Sequence, residues 1–158
     1  MRKQVRVYTG GNLKPAITFT HKETGKDFEL KAGTAYTVTY KNNKNVANEN
    51  SKKAPTVTIK SKGLGYNTTV KPRSITKTFC ITNAKIDASS VADIKVQTYK
   101  KGKEVKPALT IKVNGRKLSL NKDYKVKFTN NRLRGEASVT ITGIGNYSGT
   151  VTKSFTIK

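Results

Sequence analysis

Among 158 residues the chain has no tryptophan, one cysteine, one histidine, four prolines and only nine acidic side chains. Each scarcity excludes a class of protein. The single thiol, Cys80, permits neither an internal disulfide nor a cysteine-based zinc site. His21, in the polar stretch "THKETGKD", has no second histidine and no nearby cysteine to complete a metal set or a catalytic triad, so it reads as a solvated loop residue. The acids are dispersed, and a glycosidase-type carboxylate pair needs a cleft that small β-domains seldom supply. Nothing provides a nucleophile with its base, so neither enzymatic activity nor a cofactor is expected. No apolar run approaches the roughly 18 residues of a membrane span. "MRKQVRVYTGG" has the basic start of a signal peptide without the apolar stretch that should follow. The chain is therefore expected to be an excerpt from a longer protein, with Met1 a cloning addition and no membrane insertion.

What the chain has in excess is positive charge: 32 Lys and Arg against nine acids, a formal net charge of +23. Divided after Asn83, the two parts carry +12 (16 basic, 4 acidic) and +11 (16 basic, 5 acidic). The charge is thus a property of both parts and not of a tail. Such a surface attracts anionic polymers, including acidic glycans, wall polyanions and nucleic acid, in a salt-dependent way. The bland alternative is a solvated, soluble surface. The basic residues are interleaved along both parts instead of tracking one aromatic-lined groove, so no specific nucleic-acid recognition is expected.

The second excess is repetition. "KPAITF" at 14–19 recurs as "KPALTI" at 106–111, and "AYTVTYKNN" at 35–43 as "DYKVKFTNN" at 123–131. "TVTI" at 56–59 recurs as "SVTI" at 138–141, and "TKTFCI" at 76–81 as "TKSFTI" at 152–157. The blocks keep their order. Lys14 to Ile81 spans 67 positions and Lys106 to Ile157 spans 51, so the first repeat carries 16 more, all between blocks, where loops tolerate insertion. Within blocks the apolar residues alternate: Tyr124, Val126 and Phe128 share one face, Lys125 and Lys127 the other. That is the period of half-buried antiparallel strands. The expectation is an all-β protein of two tandem small Ig-like β-sandwich domains, 1–83 with the longer loops and 84–158, each of six or seven short strands. The phrases "GLGYN" at 63–67 and "GIGNY" at 143–147 read as tight connections. They are not phosphate loops, which require a helix after the glycines.

The stretch "VKPALTIKVNGRKLSLNKDYKVKFTNN", continued by "GEASVTITGIGNYSGTVTKSFTI", resembles the bacterial Ig-like repeats of large cell-surface proteins of gut Firmicutes of the Clostridia type. Their pattern runs Tyr-Thr-Gly-Lys, Lys-Pro, Asp-Tyr, Asn-Asn, Gly-x-Gly-Asn-Tyr and Thr-Phe-x-Ile. The second repeat matches over nearly its whole length. The first keeps Tyr8 to Gly10 and the Lys-Pro pair, but has Ala35 in place of Asp and the inverted order Tyr66-Asn67. The resemblance implies an extracellular location, secreted or attached to a Gram-positive cell wall, a stalk or adhesin architecture, and no catalysis.

Asp123 is suited to accept backbone N–H groups in the turn "LNKDY". A Lys-Asn isopeptide crosslink, which some Gram-positive sandwiches build around a buried acid, is disfavoured in the first repeat by Ala35 at the matched site, and in the second the turn role of Asp123 is preferred to it. Asn67 and Asn146 fit the N-glycosylation triplet but read more simply as turn and strand residues. Cys80, between inward Phe79 and Ile81, is expected to face outward. Tyr36, Tyr124 and Tyr147 read as structural, which leaves Tyr8 and Tyr99 for stacking a sugar. The loop "TNNRLRGE" places Leu133 between Arg132 and Arg134, a pairing common at interfaces; the alternative is a leucine tucked under its own turn. With Tyr99 and Lys101, these three form the candidate binding set. The partners considered are a host protein such as an immunoglobulin or a mucosal or matrix component. An exposed edge strand is a further docking place, although lysines normally discourage strand addition.

Overall fold

A computed structural model of the chain describes residues 4–20, 23–62 and 73–158. His21, "GLGYN" and the Asn67 triplet lie outside the described residues. Among the described residues the protein is all-β, with one short 3-10 turn at Ala88–Ser90. It divides into two compact units, the first built from residues 1–7 and 11–82, the second from 8–10 and 83–158. The boundary after Thr82 lies one residue before the expected one. Tyr8 to Gly10 departs from expectation by joining the second unit.

The first unit contains β1 (Val5–Val7), β2 (Phe19–Thr20), β3 (Asp27–Phe28), β4 (Tyr36–Lys41), β5 (Thr56–Ser61), β6 (Ser74–Thr78) and β7 (Cys80–Thr82). β4, β5 and β6 form an antiparallel sheet, β2 pairs antiparallel with β3, and β1 runs parallel to β7. Its core is small: Tyr36, Ala54, Phe79, Cys80 and Ile81 are buried, while Val57 and Ile59 in the middle of the sheet are only half-buried. Phe19 meets Tyr36 edge-on at 5.0 Å between ring centres.

The second unit contains β8 (Ala84–Lys85), β9 (Lys112–Val113), β10 (Arg116–Lys117), β11 (Tyr124–Thr129), β12 (Gly135–Gly143), β13 (Tyr147–Ser148) and β14 (Thr150–Ile157). β11, β12 and β14 form the antiparallel sheet, with Val126 opposite Ile141 and Ile141 opposite Val151. β9 and β10 are joined by Asn114-Gly115, both at positive φ, the backbone that a two-residue hairpin turn demands. β13 runs parallel to β8. The core is deeper here: Ile111, Val139 and Ile141 are wholly inaccessible, and Phe128 meets Phe155 edge-on at 6.3 Å. The expected alternation holds, with Tyr124 buried, Val126 and Phe128 half-buried, and Lys125 and Lys127 exposed.

The recurring Lys-Pro and Asn-Asn blocks are two halves of one clamp. In the first unit the Leu13 N–H donates to the Asn43 carbonyl at 2.7 Å, and the Asn43 side-chain amide donates back to the Leu13 carbonyl at 2.8 Å. In the second, Val105 and Asn131 exchange the same two bonds at 2.7 and 3.0 Å. The preceding asparagines, Asn42 and Asn130, take φ of 54° and 55°, a left-handed turn that asparagine tolerates better than most residues. Both clamp asparagines are buried, so the returned bond offsets the cost of taking an amide out of water.

Cys80 does not face outward to solvent, as alternation had suggested; it is buried. Part of the insertion unique to the first repeat covers it. Ala47 pairs with Ile81, and the Glu49 carboxylate accepts the Cys80 thiol. The matched Thr156, in the repeat without that loop, is exposed.

Candidate functional site

The candidate residues lie on two adjoining loops of the second unit, 99–106 and 130–135. The clamp brings those loops together, because Val105 and Asn131 belong one to each. Arg132 donates to the Glu104 carboxylate at 3.0 Å, and Lys106 reaches the other oxygen of the same carboxylate at 2.5 Å. The Arg134 guanidinium stacks over the Tyr99 ring, 5.0 Å from its centre. Leu133, between these two tethered arginines, is 71% exposed and is not tucked beneath its turn. Lys101 is exposed in the turn of the neighbouring loop, and no contact ties it to the other four. The structure therefore assembles Tyr99, Arg132, Leu133 and Arg134 into one surface and leaves Lys101 beside it. Glu104, which holds Arg132 and is itself paired with Lys106, is not a candidate from the sequence, since Arg132 lies 28 residues along the chain.

Tyr99 is only half-exposed and its ring face is occupied by Arg134; its backbone N–H bonds the Lys158 carbonyl at 2.7 Å. Tyr8 is buried, packed edge-on against Tyr147 at 5.4 Å, and is unavailable for stacking a sugar.

Four acids of the second unit, Asp87, Asp93, Glu104 and Asp123, have partners within it. Asp123 is buried and accepts the Ser119 N–H at 2.9 Å, closing the turn before β11 as the sequence led us to expect. Asp87 caps the 3-10 turn, with bonds from the Ser89 and Ser90 hydroxyls and the Ser90 N–H. Those bonds hold its carboxyl below the usual range. Asp93 pairs with Lys153 at 3.0 Å. Among the described residues no three His, Cys, Asp or Glu side chains gather where a metal could bind, and no helix is long and apolar enough to cross a membrane.

Glu104 is held below its ordinary 4.5, first by the hydrogen bonds from Lys106 and Arg132 and then by their charge. A depressed carboxylate keeps its partners at neutral pH and releases them only as pH falls through its lowered midpoint. We expect a carboxyl NMR titration to put Glu104 below 4.5, and Lys106→Ala to move its midpoint back toward 4.5. An unmoved midpoint would show that the pair is not formed in solution.

Each unit has a groove, and the two share only the matched positions Leu109/Ile17 and Tyr124/Tyr36. In the second unit a groove of about 490 Å³ runs between the Pro107–Leu109 stretch and β11, floored by Val126 and Phe128 with Leu120 at its margin. In the first, Ile17, Phe19, Asp27, Glu29, Leu30 and Tyr36 line a groove beside β2 and β3. The units also differ between the Lys-Pro segment and the matched strand, β4 or β11. The Tyr40 hydroxyl of the first unit donates to the Pro15 carbonyl at 2.8 Å, whereas its match in the second unit, Phe128, has no hydroxyl to offer.

No protein-family model and no curated protein sequence matches the chain. Domains 4 and 5 of the S-layer protein SbsC, a solved structure, align over 96% of this chain and 91% of their own, with 16% identical residues and a TM-score of 0.31. That superposition is too loose to bear on fold or function.

Proposed function

We propose that the chain is a non-catalytic tandem Ig-like module of a bacterial cell-surface protein, two small sandwiches that act as a stalk or adhesion segment outside a Gram-positive cell. The observation that carries this reading is the fate of the residues the two repeats share. Asn43 and Asn131 close the clamp, Pro15 and Pro107 beside it are buried, as are Tyr36 and Tyr124, and Phe79, Ile81, Phe155 and Ile157 complete the cores. What the repeats hold in common goes into scaffold, as a spacer requires, while the exposed positions carry the charge.

A net charge of +23 suits such a module to the anionic polymers of a cell wall. We expect it to co-sediment with purified wall sacculi bearing anionic polymer at about 0.05 M salt and to be released at about 0.5 M, where the screening length shortens to a few ångströms. Binding that ignores salt would sink this account of the charge.

A second reading, a specific host-protein binding module, is favoured by Leu133 standing exposed between two tethered arginines. Immobilised protein, exposed to serum and mucosal secretions and washed at about 0.5 M salt, decides between the two. Retention of one host protein that is lost with Leu133→Asp replaces the spacer reading, and retention of none leaves it standing.

A further inference from the structure

β11 is an edge strand. It pairs with β12 on one side only, and the Ile144 N–H to Asp123 carbonyl bond of 3.0 Å sets the phase of that ladder. In an antiparallel pair the bonded residues alternate. Lys125, Lys127 and Thr129 therefore turn their main-chain groups toward β12, and Val126 and Phe128 turn theirs away from it. The Tyr124 carbonyl on that outer side is taken by the Asn121 N–H at 2.7 Å. The outward N–H and C=O of Val126 and Phe128 meet no partner among the described residues. Beside this open edge, on the apolar face of the sheet, lies the 490 Å³ groove with Pro107, Leu109 and the half-exposed Leu120. On the opposite face Lys125 and Lys127 project from the same strand into solvent.

We propose that this edge receives an extended acidic peptide of another protein, added as a further antiparallel or parallel strand against β11, in which apolar and acidic residues alternate. The backbone of Val126 and Phe128 supplies the main-chain bonds. Successive side chains of a docked strand point to opposite faces. One set enters the groove against Val126, Phe128 and Leu109. The other lies beside Lys125 and Lys127, where carboxylates make favourable cross-strand pairs. Edge lysines ordinarily keep neutral strands away. Here they become the selecting element. A second copy of the chain is the wrong occupant, since each copy carries +23. The first unit offers no equivalent, because its groove lies beside β2 and β3 and is lined by the acids Asp27 and Glu29.

The test uses the whole chain and two blocked synthetic octapeptides of identical composition. One alternates Glu and Val, and the other has four Glu followed by four Val. At about 0.15 M salt the alternating peptide should bind at least about tenfold more tightly, with amide NMR shifts at Val126 and Phe128. Val126→Pro removes an N–H that faces away from the ladder, a position at which an edge strand accepts proline, and should erase that preference. Should this variant fail to fold, the exposed Lys125→Glu/Lys127→Glu double variant decides: it should lose the acidic peptide about tenfold and instead prefer an alternating Lys-Val peptide. Equal binding of the two acidic isomers, or amide shifts elsewhere than β11, reduces the effect to general electrostatic attraction and overturns the proposal. So does a free protein that sediments as a dimer through this edge.

Discussion

Ile141→Ala is expected to destabilise the second unit by about 2–5 kcal/mol, whereas Ile59→Ala, at the matched position of the first unit, should cost about 1 kcal/mol. The two isoleucines occupy the same place in the repeat and the same place in the central strand of a three-stranded sheet. Their surroundings differ. Ile141 is wholly inaccessible, with Val126 and Val151 opposite it on either side, so truncation leaves a closed void whose walls lose their contacts. Ile59 is half-buried between Val38 and the exposed Ile75, so the space it vacates opens to water and only the transferred area is lost. Amide hydrogen exchange in rising urea reports each unit separately and is the measurement to make. Equal losses in the two units would contradict the difference in core depth.

Gly149→Ala should be the most damaging single-methyl addition in the second unit, at about 3 kcal/mol or more. Its φ is +93°, and a Cβ there would stand 2.5 Å from the Ile86 carbonyl oxygen. That carbonyl cannot step aside cheaply. The Ile86 N–H bonds the Ser148 carbonyl at 2.8 Å and the Ile86 side chain is buried, so the clash pushes on the β8–β13 pairing and on the core together. Gly102→Ala is the control. It shares the positive φ, at +70°, but a Cβ there meets nothing within 4 Å, so only the backbone strain of about 1 kcal/mol remains. Thermal unfolding followed by circular dichroism separates them, and a Gly149→Ala protein no less stable than Gly102→Ala would refute the argument.

The strands of the second unit were legible because alternation is a local property: Tyr124, Val126 and Phe128 announce their face within five residues. The turn role of Asp123 was legible for the same reason, its bond to Ser119 spanning four positions. Longer connections were not. The blocks of the clamp were visible as repeats, but that Asn43 reaches Leu13 and Asn131 reaches Val105 depends on closures of 30 and 26 residues that no periodicity encodes. Cys80 was misjudged because alternation assigns a side of the strand and is blind to the loop folded over it. Tyr8 was misjudged because chain order places it in the first repeat, while its ring packs on Tyr147. The surface of Arg132, Leu133 and Arg134 was suggested by composition, and the pairing with Glu104 and Tyr99 that orders it became apparent only in three dimensions.

The clamp separates what must be inherited from what is free to drift. It fixes the same two points in each repeat although they are 30 positions apart in one and 26 in the other, and the bond lengths differ by no more than 0.2 Å. A gene that duplicates such a unit can lengthen its loops and exchange its surface residues without renegotiating its interior. Sister copies then diverge at the rate of their exposed positions, and a long array assembled from them can present a different face at every step while each copy folds by the same rule.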